Sequence, residues 1–173
     1  VRDRILAVEP WLLLLLPVLT AVFSLAQAAV LWLLGGTVGR INLGVGPVVW
    51  SRGVVALRPL PLGCSVEVGA PGDGGAAFRA LALPLKLALL FSGPAVLFVL
   101  SAILAEWSGD LALLCGGLGL LNLLPLPTLS GGQSLLALWT AATGREPAGS
   151  LLAGWGLAGL VALVGAGVWL FFG

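Results

Sequence analysis

The sequence predicts an α-helical integral membrane protein, with four transmembrane helices and a small membrane-associated β-sheet between the first and the second. Three observations predict it. Hydrophobic residues fill 60% of the 173 positions and charged residues only 9%, with a mean hydropathy of +1.15. A soluble domain is typically about a quarter charged. Four apolar stretches, at about 11–34, 83–105, 111–139 and 151–172, match the ~20 residues that a helix needs to cross a bilayer. Between the first two lies a Val- and Leu-rich segment, about 40–68, punctuated by Gly and Pro in the manner of short strands and turns. The length suits one membrane domain over 1–173.

The first span is too long for a signal peptide and lacks a small-residue cleavage site ahead of a soluble domain. The chain starts at Val1 and holds no Met, as removal of an initiator Met or a trimmed start would leave it. Trp11, Trp32, Trp107, Trp139 and Trp169 fall near predicted helix ends, where indole rings favour the headgroup region. In the segment that follows, Val48-Val49-Trp50 and Val54-Val55-Ala56-Leu57 flank Ser51-Arg52-Gly53, which reads as a hairpin turn; two to four short strands are expected. Strands this apolar need a partner: sheet pairing, the helix bundle or the membrane surface. The run GAPGDGG at 69–75 reads as a flexible loop into the second span.

Ser92-Gly93-Pro94 sits in the middle of the second span, and an internal proline removes a helix hydrogen bond and bends the axis. The third span is interrupted by Pro125, Pro127 and Gly131-Gly132. Non-helical backbone at membrane depth survives only where protein or a water-filled cavity surrounds it. Either this break marks a site, or the helix ends at Leu124 and restarts after Gly132. In the fourth span Gly154, Ala158, Ala162 and Ala166 form a narrow small-residue face that lets helices approach closely, within the chain or, alternatively, in a dimer.

Charge sets the expected orientation. Arg40, Arg52, Arg58 and Arg79 lie between the first two spans, with Lys86 just inside the second, and Arg145 follows the third. Between the second and third spans are Glu106 and Asp110 and no basic residue, while Arg2 and Arg4 in the tail are offset by Asp3 and Glu9. The excess of basic residues places the β-rich loop and the Arg145 loop in the cytoplasm and both termini outside, in a multi-pass protein of a bacterial inner (cytoplasmic) membrane. Lys86 is expected to snorkel to the cytoplasmic surface. A net charge of +1 argues against nucleic acid as a partner. Cys64 and Cys115 are far apart, one expected in a loop and one buried in a helix, and read as free thiols rather than a disulfide.

Four of these features, in this order, resemble the site-2 protease family of intramembrane zinc metalloproteases over roughly 22–133. The first is Phe23-Ser24-Leu25-Ala26-Gln27 at the place of H-E-x-x-H, followed by Gly39-Arg40-Ile41-Asn42-Leu43-Gly44-Val45-Gly46-Pro47. The second is Leu60-Pro61-Leu62-Gly63, closing the membrane-associated strands. The third is Gly93-Pro94, where the family commonly has G-P-x-x-N. The last is Asn122-Leu123-Leu124-Pro125-Leu126-Pro127-Thr128-Leu129-Ser130-Gly131-Gly132, against the family's N-L-x-P-x-P-x-L-D-G-G.

The resemblance implies a site-2-protease-like fold whose chemistry has been removed. In H-E-x-x-H the histidines, one helical turn apart, bind the metal, and the glutamate serves as general base for the zinc-bound water. The matching positions here are Phe23, Ser24 and Gln27; the aspartate falls on Ser130 and the asparagine of G-P-x-x-N on Leu97. The chain has no histidine at all, and a catalytic zinc needs about three ligands from His, Cys and carboxylates. The expectation is therefore a pseudoprotease without a cofactor, in which Ser24, Gln27 and Ser130 form an interhelical hydrogen-bond cluster in place of the metal. Asn122, Pro125, Pro127, Gly131, Gly132, Gly93 and Pro94 would form a binding groove, and the partners would be other membrane proteins of a larger complex and the lipid bilayer. The alternatives are a divergent metalloprotease with unrecognised ligands and a small transporter or channel component. The second is poorly supported, since only Lys86 puts a charge within a span.

Overall fold

The computed structural model describes residues 14–70, 72 and 75–172. Trp11 and the tail residues Arg2, Asp3, Arg4 and Glu9 lie outside them. The described residues form helix α1 (Leu16–Leu33), strands β1 (Val38–Val45), β2 (Trp50–Arg52), β3 (Val55–Leu57) and β4 (Leu60–Val68), and helices α2 (Ala76–Ala80), α3 (Leu83–Leu104), α4 (Gly109–Asn122), α5 (Ser130–Thr143) and α6 (Gly149–Phe172). The chain is mostly helical with one small sheet, as its composition predicts.

Local chemistry explains most of the boundaries. Both α1 and α3 carry a proline in their first turn, where the missing N–H costs no helical bond. After α1 the chain turns at Gly35, whose φ is 77°, the left-handed geometry that commonly ends a helix. Helix α4 starts at Ser108, whose hydroxyl accepts the backbone N–H of Leu111 at 3.4 Å, with Asp110 in the first turn; both suit the positive end of a helix. Helix α3 continues through Pro94, with Gly93 and Pro94 buried.

Among the described residues two helices, α1 and α3, are long and apolar enough to cross a membrane. The segment expected as a third span is two helices of 14 residues each, about 21 Å long at 1.5 Å per residue. The break runs over 123–129, and Gly131 and Gly132, expected inside it, belong to the first turn of α5. Helix α6 extends over 24 residues, but its side chains beyond Gly165, including Ala166 and Trp169, lie outside the description.

The sheet order is β2-β3-β1-β4. Strands β1 and β4 run antiparallel with Asn42 opposite Ser65, β1 and β3 run parallel with Ile41 opposite Val55, and β2 and β3 form an antiparallel hairpin with Trp50 opposite Leu57. Ser51 and Arg52, expected in the hairpin turn, are strand residues. The turn is Gly53-Val54, because Gly53 alone there takes a positive φ, 58°. Helix α2 separates the 69–75 loop from α3. Its Ala77 and Phe78, with Leu81, pack on the cluster of Leu31, Val68 and Leu89, and that burial holds one helical turn in place. Cys64 lies in β4 rather than in a loop, Cys115 is buried in α4, and both thiols are free.

Two apolar clusters join the layers. Leu19 and Phe23 of α1 meet Leu97 of α3 and Cys115 of α4. Leu31, Val68 and Leu89 join α1, β4 and α3. Between α3 and α4 the Ser101 hydroxyl donates to the Ala112 carbonyl at 2.7 Å, and a Cβ on Gly116 would lie 2.9 Å from that hydroxyl oxygen. The small-residue face of α6 behaves differently from the expectation of packing within the chain. Gly154, Ala158 and Ala162 are exposed, and a Cβ on Gly154 would meet nothing within 4 Å. Helix α6 instead turns Leu152, Trp155, Gly159 and Leu163 inward, all half-buried, with Leu126 lying on Gly159. Larger side chains on that face bury more apolar area than the alanine face offers.

Candidate functional site

A cavity of about 540 Å³ opens between α1, β4, α3 and the start of α5. Phe23 and Gln27 line it from α1, Asn122 and Thr128 from the α4–α5 junction, and Ser130 and Gln133 from α5. Cys64, Ser65, Val66, Glu67 and Val68 line it from β4. Side chains alternate across a strand, so five consecutive lining residues mean that β4 presents its edge to the cavity. That edge is open: β4 is the last strand of the sheet, paired with β1 alone among the described residues. A second cavity of about 470 Å³ shares Phe23, Cys64, Ser65, Asn122 and Thr128 as walls and ends at Arg58. The two adjoin along β4.

The sequence-predicted positions separate into two groups. Phe23, Gln27, Ser130 and Asn122, up to 107 positions apart in the chain (130 − 23), share one cavity. Ser24, Leu97, Gly93, Pro94, Pro125, Pro127, Gly131 and Gly132 do not line it. These last six were expected to form groove walls, and the structure gives most of them a supporting role. Gly93 lies beneath the Phe23 ring, whose atoms would sit 2.5 Å from an added Cβ. Pro94 and Leu97 are fully buried in α3. The 123–129 connector doubles back over the first turn of α5, so that Cβ atoms on Gly131 and Gly132 would run into the Leu123 and Leu126 carbonyls. The Gln133 carboxamide then ties the connector down by donating to the Pro127 carbonyl at 2.8 Å. Pro125 is exposed.

The expected hydrogen-bond cluster of Ser24, Gln27 and Ser130 is not formed. The Ser24 hydroxyl, 0% exposed, donates to the Thr20 carbonyl at 3.1 Å within its own helix, because one helical turn separates donor from acceptor. No hydrogen bond joins the Gln27 side chain or the Ser130 hydroxyl to another described residue. Yet Gln27 is only 8% and Ser130 only 6% exposed. No fully enclosed side-chain nitrogen or oxygen among the described residues lacks a partner. The polar atoms of Gln27 and Ser130 therefore face the cavity, not packed interior.

Sequence reasoning missed the polar bridge behind the strand edge. Asn42 of β1, 3% exposed, donates from Nδ2 to Glu67 Oε1 at 2.9 Å and to Ser65 Oγ at 3.3 Å. Its Oδ1 accepts from Arg58 Nη2 at 3.2 Å and Nε at 3.4 Å, and Arg58 Nη1 donates to the Gly46 carbonyl. One carboxamide thus spans β1, β4 and the segment after β3. An Asn between the apolar Ile41 and Leu43 of β1 was the signal in the sequence. Cys64, missed as well, lines both cavities. Burial pushes its thiol above the ordinary thiol range, and the Ser24 hydroxyl lowers it in part.

Among the described residues no three His, Cys, Asp or Glu side chains come together in a way that could hold a metal ion. What the cavity offers is hydrogen bonding from the carboxamides of Gln27, Asn122 and Gln133, from hydroxyls and from a strand edge, with Glu67 as its one charged group, against an aromatic and aliphatic wall. No model of a known protein family matches the chain, and neither does any curated protein.

Proposed function

We propose that this chain is a non-catalytic membrane protein on a site-2-protease-like fold, and that it works by binding, as a structural or assembly subunit of a larger membrane complex. One observation carries the reading: Phe23, Gln27 and Ser130, at the positions where the family resemblance would put ligands, line one cavity along the open edge of β4. An open edge accepts an extended segment of another protein by strand addition, with main-chain hydrogen bonds giving affinity and side-chain pockets giving specificity. A phenylalanine, a glutamine and a serine leave the cavity able to receive such a segment but not to activate water.

In this reading α1 and α3 cross the bilayer, α4 and α5 cross it together as a broken unit, and α6 crosses it as a fourth element. The 123–129 connector can be non-helical at depth because it packs on α5 and walls the cavity. Both termini lie outside, and the sheet faces the cytoplasm of a bacterial inner membrane. The ion pair between Arg79 and Glu146, 3.7 Å long, supports part of that orientation, since it ties the loop region before α3 to the loop after α5. Lys86, at the start of α3, supports it too by donating to the Arg79 carbonyl at 2.7 Å.

Purification in mild detergent tests the reading. The chain is expected to co-purify with defined membrane-protein partners at stoichiometric levels, and to do so without bound zinc. A chain that runs alone at every expression level ends the subunit proposal. One zinc per chain, lost together with peptidase activity on chelation, would instead establish the metalloprotease alternative.

A further inference from the structure

We infer that the Gln27 carboxamide, with the Ser130 hydroxyl lining the same cavity, is a clasp for one intact peptide group of the partner segment. The inference rests on the strand-addition reading above and names what the cavity recognises. A residue that is 8% exposed, with no hydrogen-bond partner among the described residues and its amide at a cavity wall, lacks the partner that buried polar groups ordinarily have. A carboxamide presents a donor and an acceptor in one plane. Another amide answers both at once. A strand docked on β4 carries such groups all along its length, and Gln27 lies across the cavity on α1. No basic residue is among the described lining residues, and Glu67 is the one acid there, so an anionic headgroup or carboxylate would find no counter-charge. The occupant is an uncharged stretch of extended peptide.

Cys64 reports on occupancy because its thiol lines the same cavity. The full chain is reconstituted in phosphatidylcholine vesicles, and in parallel kept in dodecyl maltoside. Alkylation of Cys64 by N-ethylmaleimide is followed by peptide mass spectrometry, which separates it from Cys115. The probe is a pool of capped, uncharged peptides of about eight residues, a typical strand being five or six, with side chains randomised at alternate positions. The pool is expected to slow alkylation about threefold or more, and a pool N-methylated along the backbone is expected to leave the rate unchanged, having lost the donors needed for pairing. In Gln27→Leu, and in Gln27→Glu, which keeps the side-chain volume, the protecting concentration is expected to rise about fivefold to tenfold, as for loss of one buried hydrogen-bonding partner. An amide-to-ester scan of a selected peptide makes the same test on the unaltered chain: one position is expected to lose about that much, and the others less.

Protection that survives both Gln27 variants, with equal losses throughout the ester scan, overturns the clasp and leaves strand addition standing. No protection of the unaltered chain by any pool overturns both. Protection by vesicle lipid alone, with no further slowing by peptide, overturns the clasp in favour of a lipid occupant.

Discussion

The glycine pair Gly131-Gly132 and the lone Gly154 both lie in the first half of an apolar helix and behave as opposites in space. Gly131 and Gly132 open α5 under a connector whose carbonyls occupy the place of their missing Cβ atoms. Gly154, on α6, faces nothing within 4 Å. The first pair is required by the fold around the cavity. The second is a glycine in a helix that, on propensity alone, would be better off as alanine. A small residue is thus informative only with its neighbour known. The connector crosses α5 tightly because two prolines and a turn aim it back at the helix, while α6 touches the rest of the chain through a different face.

The contrast breaks most sharply under single alanine substitutions. Gly132→Ala, and Gly131→Ala after it, drive a methyl group into backbone that cannot move aside. The expected loss is about 3 kcal/mol or more, at the upper end of overpacking costs, read as a lower unfolding midpoint in detergent and a loss of whatever binding the cavity supports. Gly154→Ala is expected to raise the midpoint or leave it unchanged, with a gain of up to ~1 kcal/mol. Equal destabilisation at the two sites would show that α6 packs in a way the structure does not contain.

A smaller effect is expected where the obstacle is a side chain. Gly93→Ala meets the Phe23 ring at 2.5 Å, and a ring can shift, so about 1–3 kcal/mol is expected. Phe23→Leu should recover part of it in the double variant, a coupling that a thermodynamic cycle measures. Behind the strand edge, Asn42→Ala removes the bridge to Glu67, Ser65 and Arg58, and about 1–3 kcal/mol is expected from the groups left without partners. That variant should also loosen β4 against β1, visible as faster amide exchange in both strands.

The mildest prediction concerns pH. Cys64 holds its proton more tightly in the folded chain than a free thiol does, chiefly through burial. The neutral thiol therefore favours folding below the ordinary thiol value, about 8.5, and that contribution fades as pH rises through the raised value. Alkylation of Cys64 should accelerate only at a pH above that at which a free cysteine reacts. An alkylation profile that matches free cysteine would mean the thiol is not enclosed.

Much of the architecture was legible because it follows from local chemistry. The apolar run at 83–105 contains a helix of the expected extent despite Pro94, and the run at about 11–34 contains one over Leu16–Leu33, since long apolar segments have few competing structures. The strand segment was legible from its Val- and Gly-punctuated pattern, though not the location of its turn, which depends on the one residue able to take positive φ. The cavity was only half legible. Phe23, Gln27, Ser130 and Asn122 were marked by a family-like spacing. Gly93, Pro94, Gly131 and Gly132 were marked by the same pattern and yet turned out to support the walls, because glycine and proline conserve space and direction and bring no polar side chain to a surface. Thr128, Gln133, Glu67 and Cys64 had no signal beyond their residue type.

Residue composition and pattern already specify the class of the molecule: a mostly helical, strongly apolar chain with a small sheet after its first helix, and no histidine for metal chemistry. Composition and periodicity suffice for that, since both act residue by residue. It took the folded arrangement to show that the edge of β4 opens on a cavity, that Gln27 lies buried at its wall without a partner among the described residues, and that Gly131 and Gly132 are covered by backbone while Gly154 meets nothing. Those facts depend on contacts between residues far apart along the chain, which no local pattern encodes.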